Sequence, residues 1–396
     1  MAAHADSLSR VNRNITRNRS TLRQGVHIPT LIAWVLLLIY GAFVIWTASL
    51  SIEDASFPRQ LLGISLGVIA AIICWRIDFT ALQGRALALL VIDLVVIFSP
   101  YIPGLSYTAN GMTGWIKIPG VGLTFQPVEL AKLITIIYMA DLASEYNGQI
   151  DRVKDYIKLC VALAIPFVAV IAAGDLGSAL VVFVAGVVII CMAGPRKEWV
   201  LSTIAILIGL VALLLATDSL LDSLLGTDVL IQDYQMSRIT VFLNPEDSDS
   251  DEAYNLLQSL IAVGSGGFFG KGVGNATQSG EGFLPEAHTD FVFALLCEEF
   301  GFVGAFVLLS LFALLIYSSI RVASSTDSIY MRLVVVGIVG MWAFQVLEEV
   351  GMCIGLMPIT GIPLPFISYG SSSMLIQCTA VGIVQSAWLH RNKASA

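Results

Sequence analysis

Residues 157–193 read IKLCVALAIPFVAVIAAGDLGSALVVFVAGVVIICMA, and how this stretch is divided decides the fold. As one helix it would run about 55 Å at about 1.5 Å per residue, whereas a bilayer's hydrocarbon core is about 30 Å thick. One crossing is too few. The step Gly174-Asp175-Leu176-Gly177 is the natural place to break it, giving two spans that run in opposite directions. Outward from there, apolar runs of crossing length recur along the whole chain. The expected spans are approximately 28–48, 60–77, 82–99, 124–142, 156–173, 176–194, 199–216, 289–316, 329–356 and 367–388.

Composition agrees. The 396 residues are 57% hydrophobic and 13% charged, with a mean hydropathy of +0.83. A soluble domain carries roughly twice that charge. The expected fold class is therefore an all-α polytopic membrane protein, about ten helices with one large extracytoplasmic loop. The net charge of −8 is less informative than its sorting. With ten spans, 16 of the 21 Lys and Arg residues, from Arg10 to Lys393, fall on one side. Only Arg59, Lys117, Arg238 and Lys271 fall on the other, and Lys132 lies within a span. The positive-inside rule then puts both termini in the cytoplasm. An odd number of spans would scramble the pattern. Residues 1–27 read as an Arg-rich cytoplasmic tail, because the first apolar run is too long for a signal sequence. Residues 28–390 form the membrane domain and 391–396 a short tail. The six cysteines sit in apolar spans without CxxC spacing and read as small hydrophobes.

Most of the water-exposed chain falls in one outer loop, 217–288. Its acidic tract NPEDSDSDEAYN (244–255) reads as a solvated turn, since the spacing and glycine of an EF-hand are missing. The stretch QSLIAVGSGGFFGKGVGNATQS (258–279) fails the phosphate-loop register, having Ser265 and Gly272 where Gly and Ser/Thr are needed. Its glycines suit tight folding against the membrane surface, with Lys271 as a donor. A second loop contains NGMTGWIKIPG (110–120), whose Trp115 is either an interfacial anchor or a substrate contact. Before the last span, MPITGIPLPFISYG (357–370) carries three prolines. Non-helical backbone at that depth requires protein or a water-lined cavity around it.

Ionisable groups inside the spans are the functional signal. Glu129 and Lys132 are three apart and share a helix face, either as part of a functional path or as a pair locking two helices. Glu298, Glu299, Glu348 and Glu349 have no cation nearby in sequence. In LPEAHTDFVFALLCEEFG (284–301), Asp290 falls at the outer mouth of the eighth span, with Glu286 and His288 just upstream. Thr289 or Asp290 could simply cap the helix. A carboxylate at a groove mouth beside lipid is also well placed as a general base.

These motifs resemble the SEDS family (shape, elongation, division and sporulation) of bacterial peptidoglycan glycosyltransferases. The resemblance spans essentially the whole chain, through FQPVELAKL (125–133), DLGSAL (175–180), QSLIAVGSGGFFGKG (258–272), FLPEAHTDFVFALLCEEFGFVG (283–304) and GMCIGLMPITGIPLPFISYGSSS (351–373). GNATQS followed by GFLPEAHTDF looks more like the elongation branch, RodA, than the division branch, FtsW. The resemblance implies a catalytic role for Asp290 and functional roles for Glu129 and Lys132. It implies lipid II as substrate, a divalent cation (Mg or Mn) as cofactor and a class B penicillin-binding protein as partner, all at the bacterial cell membrane. Trp115, Lys271, Glu286 and His288 join Glu129 and Lys132 as candidate substrate-binding residues; no nucleic-acid partner is expected. Gly114, Gly174, Glu349 and Ser371 depart from the family pattern. A flippase for the same lipid is the main rival, and a scaffold that only recruits a partner is another. The lack of an internal repeat and the one-sided polar chemistry favour an enzyme.

Overall fold

The computed structural model describes residues 25–104, 106–109, 112–117, 124–206, 209, 217, 241–242 and 250–392. Its helices are α1 (Ile28–Ala48), α2 (Phe57–Arg76), α3 (Ala86–Phe98), α4 (Pro127–Ser144), α5 (Val153–Ala172), α6 (Leu176–Met192), α7 (Asp251–Ser265), α8 (Val292–Ser324), α9 (Ile329–Cys353) and α10 (Ser371–Leu389). Every expected span but the seventh coincides with one of them. Of 199–216, residues 199–206 are helical and most of the remainder lies outside the described residues, as do nearly all of both tails and much of 217–249.

The division of 157–193 falls where the sequence places it. Gly174 takes a φ of 83°, and the Asp175 carboxylate accepts the Ser178 N–H at 2.8 Å to cap α6. Proline at the first turn starts α1, α2 and α4, where its missing N–H costs nothing. Helix α4 is buried along nearly its whole length and α9 along most of it, so these two form the centre. The outer helices turn Ile39, Leu87 and Phe306 outward, each more than half exposed, which only a lipid surround explains on so many faces. Close packing of α2 on α10 depends on small residues: a methyl added to Gly67 would meet Cys378 Sγ at 2.8 Å.

One end of the molecule gathers Gly25, Trp75, Gly84, Asp141, Gly194, Asp327 and Arg391, tied by Trp75 to Gly25, Gly84 to Asp141, Ile150 to Gly194 and Asp327 to Arg391. The other end gathers 49–54, 99–104, 124–126, 173–177, 266–290 and 354–372, tied by Tyr101 to Ala173, Gln126 to Asp175 and Ser372, Tyr369 to His288 and the packing of Gly280 on Ser51. At this second end a three-stranded antiparallel sheet, β1 (Ser106–Ala109), β2 (Met112–Lys117) and β3 (Thr124–Phe125), covers the start of α4.

Two features of the fold differ from expectation. The outer loop contains α7, capped by Ser250 and buried on α8 and α9 through Ala253, Leu256, Ser259 and Ala262. The eighth span is also not a simple helix. It runs 33 residues, and Gly301 interrupts it with φ 63° and ψ −159°. The glycine stretch folds onto this break. Lys271 and Gly272 N–H groups donate to the Glu298 and Glu299 carbonyls at 2.9 and 3.0 Å. Phe302 and Val303 N–H groups donate to the Gly267 and Phe268 carbonyls at 2.9 and 3.1 Å. Backbone groups freed by the break are therefore satisfied inside the protein, as burial in a membrane requires.

A methyl on Gly301 would stand 2.3 Å from the Gly270 nitrogen. Gly301→Ala should therefore lower stability by about 1–3 kcal/mol in a detergent unfolding assay, through overpacking and an unfavourable backbone region. Gly264→Ala, in open space on α7, should be neutral or stabilising in the same assay.

Candidate functional site

The site is built around the turn that enters α8. Glu286 adopts a left-handed φ of 52°, uncommon for a residue with a side chain. Its carbonyl accepts the N–H groups of Thr289, Asp290 and Phe291 at 3.0–3.3 Å, and its carboxylate accepts the Thr289 hydroxyl at 2.9 Å. This knot places Asp290, half-buried, just before the helix. The capping alternative does not hold. The N-cap position is Phe291, with no side-chain cap, and the first-turn N–H of Phe293 is instead accepted by Glu349 Oε1 from α9 at 3.2 Å. Glu349 thus supplies the hydrogen-bond acceptor at the start of α8 that a capping Asp290 would otherwise supply.

The proline-rich segment 354–370 is the strap holding these parts together. Its Thr360 hydroxyl donates to Glu348, and a methyl added to Gly361 would lie 3.1 Å from Asp290 Oδ2. Ile362 packs on Gly177 at the start of α6, and Tyr369 N–H donates to the His288 carbonyl at 2.9 Å. Gln60 of α2 reaches the Ser368 carbonyl at 3.5 Å. Close approach of the strap to the Asp290 carboxylate depends on Gly361, which takes a φ of 70°.

His288 is buried, its ring 5.3 Å from that of Tyr369. Burial pushes its imidazole below its usual pKa, against the opposing pull of the Glu286 and Asp54 carboxylates. Beside it, residues 51–54, 279–282 and 284–288 line a half-open cavity of about 300 Å³.

Lys271 is not the open donor the sequence suggests. Its ammonium pairs with Glu298 at 2.6 Å and donates to the Thr277 hydroxyl at 2.7 Å. Glu298, fully buried, also accepts the N–H groups of Thr277, Gln278 and Ser279 at 2.8–3.0 Å. The expected cation for Glu298 is thus 27 residues away in sequence. Glu299 accepts the Gly274 N–H at 3.1 Å. Together these contacts make a structural knot at the α8 break.

Glu129 and Lys132 form the pair their spacing implies, 2.6 Å apart and each 1% exposed. The start of α4 is tied to the same end of the molecule by Gln126, which donates to Asp175 at 3.2 Å. Asp93 of α3, not singled out from the sequence, is fully buried and accepts the Thr135 hydroxyl at 2.6 Å, one helical turn beyond Lys132. A single Asp in ALALLVIDLVVIF was a signal of the same kind as Glu129. Trp115 on β2 is partly buried in a crevice of about 10 Å³ with Pro100, Tyr101 and Gln126. That space holds at most a water.

Asp290 and Glu348 both lie within electrostatic range of Glu349. Even so, among the described residues no three His, Cys, Asp or Glu side chains stand in a metal-binding arrangement. The described side chains thus form no three-ligand cation site, and no chemical step below is routed through a metal.

A profile for FtsW/RodA/SpoVE, described as cell cycle protein, matches residues 28–393. Stage V sporulation protein E of Bacillus subtilis is 35% identical over 354 residues, covering 88% of this chain and 91% of its own. The peptidoglycan glycosyltransferase MrdB of Escherichia coli K12 is 32% identical over 380 residues, covering 96% and 98%. Among solved structures, a chain from work on polymerisation and crosslinking by a peptidoglycan synthase complex superposes with a TM-score of 0.71 at 27% identity, covering 91% and 98%. With the matched segment running through α1 to α10 and the Asp290 turn inside it, the chain belongs to the FtsW/RodA/SpoVE family.

Proposed function

We propose that this protein is a peptidoglycan glycosyltransferase that polymerises lipid II, with Asp290 as the general base. The observation that carries the reading is the transfer of α8 capping to Glu349, which leaves Asp290 outside the cap at the end of the helices opposite the basic loops. With those basic loops in the cytoplasm, Asp290 faces outward, where a lipid-borne sugar can reach it.

In this mechanism two lipid-linked substrates lie with tails in the membrane and sugars at the outer end. Asp290 takes the proton from the acceptor sugar's 4-hydroxyl. The oxygen then bonds to the donor's anomeric carbon, and the bond to the lipid pyrophosphate breaks, the leaving group taking the electron pair. Base catalysis accounts for about 10²–10⁴ in rate, and alignment of the two lipids for a further share. Both lysines named from the sequence are already paired with carboxylates, so neither brings an uncompensated charge to the leaving group. The GNATQS and GFLPEAHTDF motifs favour the elongation branch. The synthase-complex likeness supports a class B penicillin-binding protein as partner.

The test is purified chain, with and without such a partner, given labelled lipid II in vesicles. Glycan polymer is the expected product. Translocation of lipid without polymer would establish the flippase reading instead, and polymer seen only through the partner's own activity would leave a scaffold.

A further inference from the structure

At the end of the molecule opposite Asp290, a half-open cavity of about 340 Å³ lies between the start of α1 and the ends of α8 and α10. His27, Arg321, Ser324, Ser325 and Trp388 line it. Its charge is of one sign. Arg321 comes from the last turn of α8, and among the described residues no carboxylate pairs with it or lines the space. The Arg391 guanidinium lies 4.0 Å from the centre of the Trp388 ring, and the His27 ring 4.7 Å from it. Burial first, then the charges of Arg321 and Arg391, hold the His27 imidazole below its usual pKa. The N-terminal end of α1 adds to this field, because its cap residue His27 gives no side-chain cap and its first turn holds no acidic residue. A positive helix end and a guanidinium without a carboxylate, both at one cavity, suit an anion.

The surroundings decide which anion. On α8, Leu314, Tyr317, Arg321 and Ser324 follow one another at steps of three and four residues and so share a face. That face is apolar and exposed at Leu314 and Tyr317, the latter 62% exposed, and turns cationic at Arg321. On α1, the exposed Ile28 and Ile32 stand one turn apart directly after His27. The two helices are packed together here, the Thr30 hydroxyl donating to Ser318 Oγ at 2.9 Å. Two lipid-facing apolar stripes therefore lead to one cationic head. Soluble phosphate would use the head alone. A phospholipid uses both parts, with acyl chains along α1 and α8 and its phosphate at Arg321.

We infer that this cavity binds the phosphate of a net-negative phospholipid, at a site separate from the glycosyl transfer and independent of it. The test titrates dioleoyl phosphatidylglycerol and the zwitterionic dioleoyl phosphatidylcholine onto the detergent-purified full chain, with bound lipid counted by native mass spectrometry. The wild type should bind the anionic lipid about tenfold tighter. Arg321→Gln should bring the two lipids within about twofold, since one basic side chain at a lipid phosphate is worth about fivefold. Arg321→Lys keeps the charge and should stay within about twofold of the wild-type preference. Ser324→Asp, at an exposed position three residues on, gives Arg321 a carboxylate and should lose the preference without removing the arginine. Arg152→Gln removes an exposed arginine from the same end of the molecule, away from the cavity, and should change nothing. Equal affinity of the wild type for the two lipids overturns the proposal. So does a preference that survives Arg321→Gln or Ser324→Asp, or one that falls as far in Arg152→Gln, which is the mark of diffuse surface charge. An excess of inorganic phosphate at constant ionic strength should leave the anionic lipid bound; its release would give the cavity to soluble phosphate instead.

Discussion

Asp290→Ala should reduce lipid II polymerisation by about 10²–10⁴, the range that general base catalysis contributes, while the protein's thermal midpoint stays close to wild type. The second half of the expectation is as informative as the first. Were Asp290 a cap, its removal would cost about 1 kcal/mol of helix stability. The cap position is Phe291, and the first-turn Phe293 N–H is accepted by Glu349. Asp290→Asn keeps the shape and removes the proton acceptor, so it should fall as far as Ala. The same quantity of protein, checked for folding, is assayed for glycan chains by gel. Polymer at the wild-type rate from either variant would take the base role away from this residue. Loss of stability equal to the loss of activity would return Asp290 to a structural part.

Much of this arrangement was legible in the sequence, for reasons that can be named. The spans follow from apolar length alone, because a bilayer sets that length. The break at 174–177 was visible because a glycine and a capping Asp stand in an unbroken apolar run. The Glu129–Lys132 pair follows from helix spacing. What stayed hidden depends on contacts between segments far apart in the chain. Nothing near Glu298 in sequence announces Lys271, and nothing in the glycine stretch says that it closes a gap in another helix. Helix α7 lay within a loop assigned by its acidic flanks, although its Leu256 and Leu260 recur at helical spacing. The Asn110-Gly111 pair in the sequence is a hairpin signal, and the strands Ser106–Ala109 and Met112–Lys117 flank it.

Glu298→Ala should be among the most destabilising single changes in the chain, costing about 3–5 kcal/mol in detergent unfolding, the range for removing one member of a buried pair. The carboxylate is the hub and Lys271 only one spoke. Glu298 accepts the Lys271 ammonium, the Thr277 and Ser279 hydroxyls and three consecutive backbone N–H groups, and it is fully buried. Its removal leaves those N–H groups without an acceptor, at about 1–3 kcal/mol each before local relaxation. Lys271→Met should cost less, about 1–2 kcal/mol, because the lysine is one-quarter exposed and the other donors still hold the carboxylate. The double variant should be no worse than Glu298→Ala, since the lysine's main partner is already gone. Activity should follow stability in this series, unlike the Asp290 series. The Leu284 N–H donates to the Gln278 carbonyl at 2.9 Å, so the knot at 277–279 fixes the chain that leads to Glu286 and Asp290. If Lys271→Met proves as costly as Glu298→Ala, the ion pair and not the N–H nest is what holds the α8 break. If neither is costly, the break is held by the Gly267–Gly272 backbone alone.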